Sequence, residues 1–192
     1  MKKADLRKIL VGAIDDISSN YERLSETSYN EMIKALPQGA KLPAKEGLHT
    51  EAAKYLFDTY RGENRDKVKN AINEVMGTIS AAQSAAPPAD VSTALLLMSM
   101  RNNLSEAELQ AFYDAHGNNY QINQALRSIA TDKDLHPDFL KTSGSETASA
   151  VALLKGIQKN VEGFIDSATP SSAYAAFQKM GLEDDLNALP IE

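Results

Sequence analysis

Reactive side chains do chemistry only when they are held close together, and this chain of 192 residues offers few such groupings. Its three histidines, His49, His116 and His136, fall at expected loops or helix ends. None has a second His at i+4, and there is no His-Glu-x-x-His pattern to aim two imidazoles at a zinc ion, so no metal is expected. With no Cys, thiolate nucleophiles, disulfides and Cys-based zinc or iron-sulfur sites are excluded. His116, just before Gly117, reads as a helix C-terminal residue whose ring meets the negative end of the dipole.

The carboxylates give no better constellation. Asp15 and Asp16 are neighbours on a helix and diverge by about 100°, too far for a glycosidase-like pair without outside partners, so they read as a solvated face. Glu183-Asp184-Asp185 lacks the spacing of a calcium loop. Ser143-Gly144-Ser145-Glu146-Thr147 lacks the Gly-Lys-Ser/Thr ending that reaches a phosphate, and reads as a helix cap. No Gly-x-Ser-x-Gly elbow marks a nucleophile. Tyr113, His116 and Tyr120 are the grouping in which an enzyme site unmarked by a motif would be sought. No cofactor is expected.

Charge is uneven. Residues 1–80 carry 13 Lys and Arg against 12 Asp and Glu, whereas residues 81–192 carry 7 against 14. An acidic half argues against sequence-independent nucleic-acid binding, which needs clustered cations, and only Lys2, Lys3, Arg7 and Lys8 form a basic patch. The charged N-terminus does not resemble a signal peptide, and Ala94-Leu95-Leu96-Leu97-Met98, the longest apolar run, is far short of the roughly 20 residues that span a bilayer. A cytoplasmic location, or the inside of a host cell for a viral protein, without a membrane segment is the expectation.

These residues must be positioned by helices, because the apolar periodicity is helical almost throughout and nothing alternates as a strand would. Leu6, Leu10, Ala13, Ile17, Tyr21 and Leu24 form one stripe, continuing to Leu36 or restarting at Ser28. Pro37, Gly39, Pro43 and Gly47 make residues 37–48 a loop. Thr50 caps a helix that ends at Gly62, and Val68, Ala71, Ile72, Val75, Met76 and Ile79 form the next. Residues 81–89, an Ala/Ser stretch closed by Pro87-Pro88, read as a linker. Asp90 caps the helix that follows. Ser105 with Glu108 forms a capping box, Asn118 or Asn119 caps another helix, and Pro137 opens a single turn. Ser145 caps a long helix in which Val151, Leu154, Ile157, Val161 and Phe164 form a heptad-like seam. Pro170 begins a last helix closed by Gly181, leaving a loose acidic tail over 182–192.

Within the second half, Leu95-Leu96-Leu97-Met98, Ser105-Glu106, His116-Gly117-Asn118-Asn119 and Ala125-Leu126 follow one another in an order of turns that resembles the three-helix ubiquitin-associated fold. Met98-Ser99-Met100-Arg101 departs from the Met-Gly-Phe loop such domains carry, and a generic three-helix packing unit is the reading taken. The expectation is an all-α bundle of about eight helices in two lobes, 1–80 and 90–192, joined by 81–89. The expected function is a non-enzymatic interaction or assembly protein of the scaffold, adaptor or virion-associated kind. It would bind a protein partner or a second copy through Leu6, Leu10, Ile17, Tyr21 and Leu24, and through Val151, Leu154, Ile157, Val161 and Phe164. A small acidic regulator that blocks another protein is the alternative.

Overall fold

The structure is a computed structural model that describes residues 1–141 and 146–189, with the side chains of 146–149 left aside. It is all-helical: α1 (Lys3–Ala35), α2 (Glu51–Ser84), α3 (Ala89–Met100), α4 (Glu106–His116), α5 (Tyr120–Asp132), a 3-10 turn (Asp138–Leu140), α6 (Glu146–Ile165) and α7 (Ser172–Asn187). Among the described residues there is no strand. The chain forms two compact units, one of Met1–Val75 with Ala150–Glu192, the other of Met76–Ser149.

That division differs from the one expected at 81–89. Residues 81–84 continue α2, since Ala has the highest helix propensity and Ser a tolerable one. The last helices do not join the middle ones but return to the first. Gly62 does not end a helix either: its cost of about 1 kcal/mol is outweighed by Phe57, Asn64 and Val68, which are buried on either side of it.

In the first unit, α1 buries Leu6, Leu10, Ala13, Ile14, Ile17, Tyr21 and Leu24 along one stripe. α7 lies antiparallel to α1. The Lys3 ammonium donates to the Leu189 carbonyl (2.7 Å), Arg7 pairs with Glu183 (2.7 Å), Lys179 with Asp15 (2.7 Å), and Glu22 accepts from the Ser172 N–H (2.8 Å). The expected loose tail is therefore packed as far as it is described: α7 runs through Gly181 to Asn187, and Leu182, Leu186 and Leu189 are buried. The helix starts one residue past Ser171, whose hydroxyl accepts from the Tyr174 N–H, rather than at Pro170.

The loop between α1 and α2 is pinned by buried hydroxyls. Ser25 accepts from the Gly47 N–H and Ser28 from the His49 N–H, both at 3.1 Å. Gly47 sits at φ +118°, a conformation other residues rarely adopt. Thr50 caps α2 through the Ala53 N–H, as its position implied. Farther along α2, Arg61 closes the unit. Its guanidinium lies 4.5 Å from the Phe57 ring centroid and donates to the Ile165 carbonyl (2.9 Å) and to the Ser167 carbonyl, the open end of α6. Arg65 pairs with Asp166 beside it. Phe57 in turn packs on Tyr21, ring centroids 5.5 Å apart.

The second unit is built on Val91, Leu95, Met98, Leu104, Leu109, Ile122, Leu126, Ile129, Ala130 and Phe139. Its caps are local and clear. The Ser105 hydroxyl accepts from the Glu108 N–H and the Glu108 carboxylate accepts from the Ser105 N–H, while Asn119 accepts from the N–H groups of Gln121 and Ile122. Gly117 donates to the Tyr113 carbonyl, and a Cβ there would meet that oxygen at 2.6 Å, so no other residue fits without a shift. Phe139 plugs the unit from the 3-10 turn, stacked on Tyr113 at 4.5 Å, its N–H bonded to Gln110 and its carbonyl to Arg127.

Two outcomes follow for the first unit. Arg61→Ala should lower stability to chemical denaturation by about 2 kcal/mol, because charge-assisted bonds to two carbonyls are lost, and Arg61→Lys should recover less than half. The Tyr21 hydroxyl is buried with no hydrogen-bond partner among the described residues, and its pKa is pushed up by burial and then by Glu46. Tyr21→Phe should therefore change the same denaturation midpoint little or raise it, within about 1 kcal/mol.

Candidate functional site

Most of the residues singled out for chemistry have structural partners. His49 packs on Tyr29 with ring centroids 5.6 Å apart. His116 ends α4 against Phe112 at 4.8 Å. His136 is exposed beside Asp134 at 3.6 Å. Tyr113 is committed to its stack on Phe139, and Tyr120 opens α5 at the surface. Asp15 and Asp16 pair with Lys179 and Lys67, and Glu183 pairs with Arg7. Among the described residues no group of three His, Asp or Glu could hold a metal ion, and no helix is long and apolar enough to cross a membrane. The cap expected at Ser145 lies outside the described residues.

The ten residues expected to meet a partner meet the same chain. Leu6, Leu10, Ile17, Tyr21, Leu24, Leu154, Ile157, Val161 and Phe164 are buried in the first unit, and Val151 is half-buried at its edge. The stripes are real, but in this structure α1, α2, α6 and α7 cover them for one another.

What remains uncovered is elsewhere, and α3 shows it most clearly. Its sequence, Ala-Asp-Val-Ser-Thr-Ala-Leu-Leu-Leu-Met-Ser-Met, carries one charge. Val91, Leu95 and Met98 face the core. Leu96, Leu97 and Met100 lie on the opposite side with Thr93 and are 61%, 58% and 71% exposed. Even the hydroxyls on this helix turn inward to the backbone: Ser92 donates to the Pro88 carbonyl, Thr93 to Ala89 and Ser99 to Leu96. That leaves them with less polarity to offer water. A helix with large apolar residues on opposite sides ordinarily has both covered, and α3 is covered on one.

The face is firmly placed. Pro88, rather than Asp90, occupies the N-cap position, with Asp90 in the first turn near the positive end of the dipole. At the other end, the Arg101 carbonyl accepts from the Lys133 ammonium (2.6 Å) and its guanidinium pairs with Glu108 (2.9 Å). Glu108 thus serves the α4 capping box and the end of α3 together. A second uncovered area lies on α7, where Phe177 and Met180 are each 70% exposed beside a groove against α6. Apolar runs in the sequence indicated these helices, but not which side would stay bare.

No family model, no curated protein and no solved structure matches this chain.

The Ser105 N–H, the Ser105 hydroxyl and Arg101 hold the Glu108 carboxyl below its ordinary value of 4.5. A carboxyl depressed in the folded state contributes stability that is complete above its unfolded pKa and is lost as pH falls through the folded one. The melting temperature should therefore drop on acidification below about pH 4.5, and Glu108→Gln should make that acid limb shallower while lowering stability at neutral pH.

Proposed function

We propose that this chain is a non-enzymatic interaction or assembly protein of the scaffold or adaptor kind, and that it acts through helix surfaces left apolar outside its two cores. The observation that carries the reading is α3, apolar on opposite sides and covered on one. Exposed apolar area of this kind is characteristic of protein contact sites. Three side chains the size of Leu and Met offer about 5 kcal/mol gross when buried, against an association cost of at least about 4 kcal/mol. The α3 face alone accordingly supports a weak or transient contact, and tight binding requires neighbouring residues to join it.

The acidic regulator is the second reading. Met76–Ser149 holds four Lys and Arg against eight Asp and Glu, which favours encounter with a basic partner and makes the on-rate salt-dependent.

The test is a photo-crosslinking residue placed at Leu96 in native cells, with the same residue at exposed Thr131 as control. A discrete adduct from position 96, absent from 131 and lost on adding Leu97→Glu and Met100→Glu, is expected. These exposed substitutions should alter stability by no more than about 0.5 kcal/mol each. Adducts that are identical from both positions would defeat the reading.

A further inference from the structure

The groove between α6 and α7, inside the first unit, has a volume of about 590 Å³. Its most exposed apolar residue is Phe177, and beyond it on α7 stands Met180. Gly163 of α6 and Gly181 of α7 both line the groove, and a Cβ on either would meet no atom within 4 Å. The space in front of these two helices is open to a large side chain.

The charges along the groove are divided by sign. Lys159 stands on α6, and Asp184 and Asp185 stand on α7. Neighbouring charges on α7 are consumed within the chain, Lys179 by Asp15 and Glu183 by Arg7. Lys159, Asp184 and Asp185, by contrast, make no ion pair and no side-chain hydrogen bond among the described residues. They also do not pair with each other across the groove.

We propose that a second copy of this chain occupies the groove in a two-fold contact. A partner of a single charge sign would be attracted by one wall and repelled by the other. A two-fold axis answers both walls at once, because the Lys159 wall of each copy meets the Asp184 and Asp185 wall of the other. The same operation sets each exposed Phe177 against the glycine-lined space of the opposite copy. The inference rests on the reading that helix surfaces do this protein's work, but it uses a different surface from α3.

Sedimentation of the full chain from low micromolar to near-millimolar concentration tests it. A monomer–dimer equilibrium is expected, weakened on the order of a hundredfold by Phe177→Asp. Lys159→Glu makes both walls acidic, and Asp184→Lys with Asp185→Lys makes both basic, so each variant should self-associate at least about tenfold more weakly. Mixed together, the acidic and basic variants should form a heterodimer whose affinity falls as salt rises. Circular dichroism checks that each variant keeps its helix content. A chain that stays monomeric throughout, or a dimer that none of these substitutions weakens, overturns the inference. Neither result touches the crosslinking outcome at α3, so the two readings fail separately.

Discussion

One side chain ties three helices of the first unit together. Arg61 reaches from the middle of α2 to the carbonyls that end α6, more than a hundred residues later in the chain. A helix end leaves carbonyls that only water, a cap or a donor from elsewhere can satisfy. Here the donor is a planar cation that also lies over Phe57, which itself packs on Tyr21 of α1. Three helices are thereby fixed around one guanidinium. The fourth, α7, follows from the same turn and is laid along α1 by a ladder of polar contacts from Glu22 to Lys3.

Local features were legible in the sequence because their physics is local. Thr50, Ser105 with Glu108, and Asn119 cap helices where their spacing says they should, since each side chain bonds a backbone N–H two or three residues on. Breaks were less legible. Gly62 and Gly181 lie inside helices because burial on both sides outweighs a propensity cost that sequence alone would take as a stop. The tail after Gly181 looked loose because Glu183-Asp184-Asp185 dominates it, yet Leu182, Leu186 and Leu189 recur at helical spacing and are buried against the rest of their unit.

The functional surface was harder to foresee for a related reason. Periodicity shows that a stripe such as Leu6 to Leu24 will be covered, but not whether the same chain or another covers it. Here the chain covers its own stripes, and the bare apolar area lies where a helix has more apolar sides than neighbours. Leu95-Leu96-Leu97-Met98 carried that signal, since four consecutive apolar residues cannot all face one core from a helix. Which two would remain outside depends on α5, against which α3 packs, and no property of those four residues decides it.

The return of the last helices to the first also sets an order for folding on the ribosome. Met76–Ser149 is contiguous, with local caps and short connections, and can complete its core while the chain is still being made. The surrounding unit cannot. Until α6 and α7 have emerged, α1 and α2 keep Leu10, Ile14, Ile17 and Ile72 without their full cover, and Arg61 has no helix end to bond. During that interval the apolar residues that the folded unit seals in its core stay uncovered on the growing chain, and surface of that kind favours aggregation.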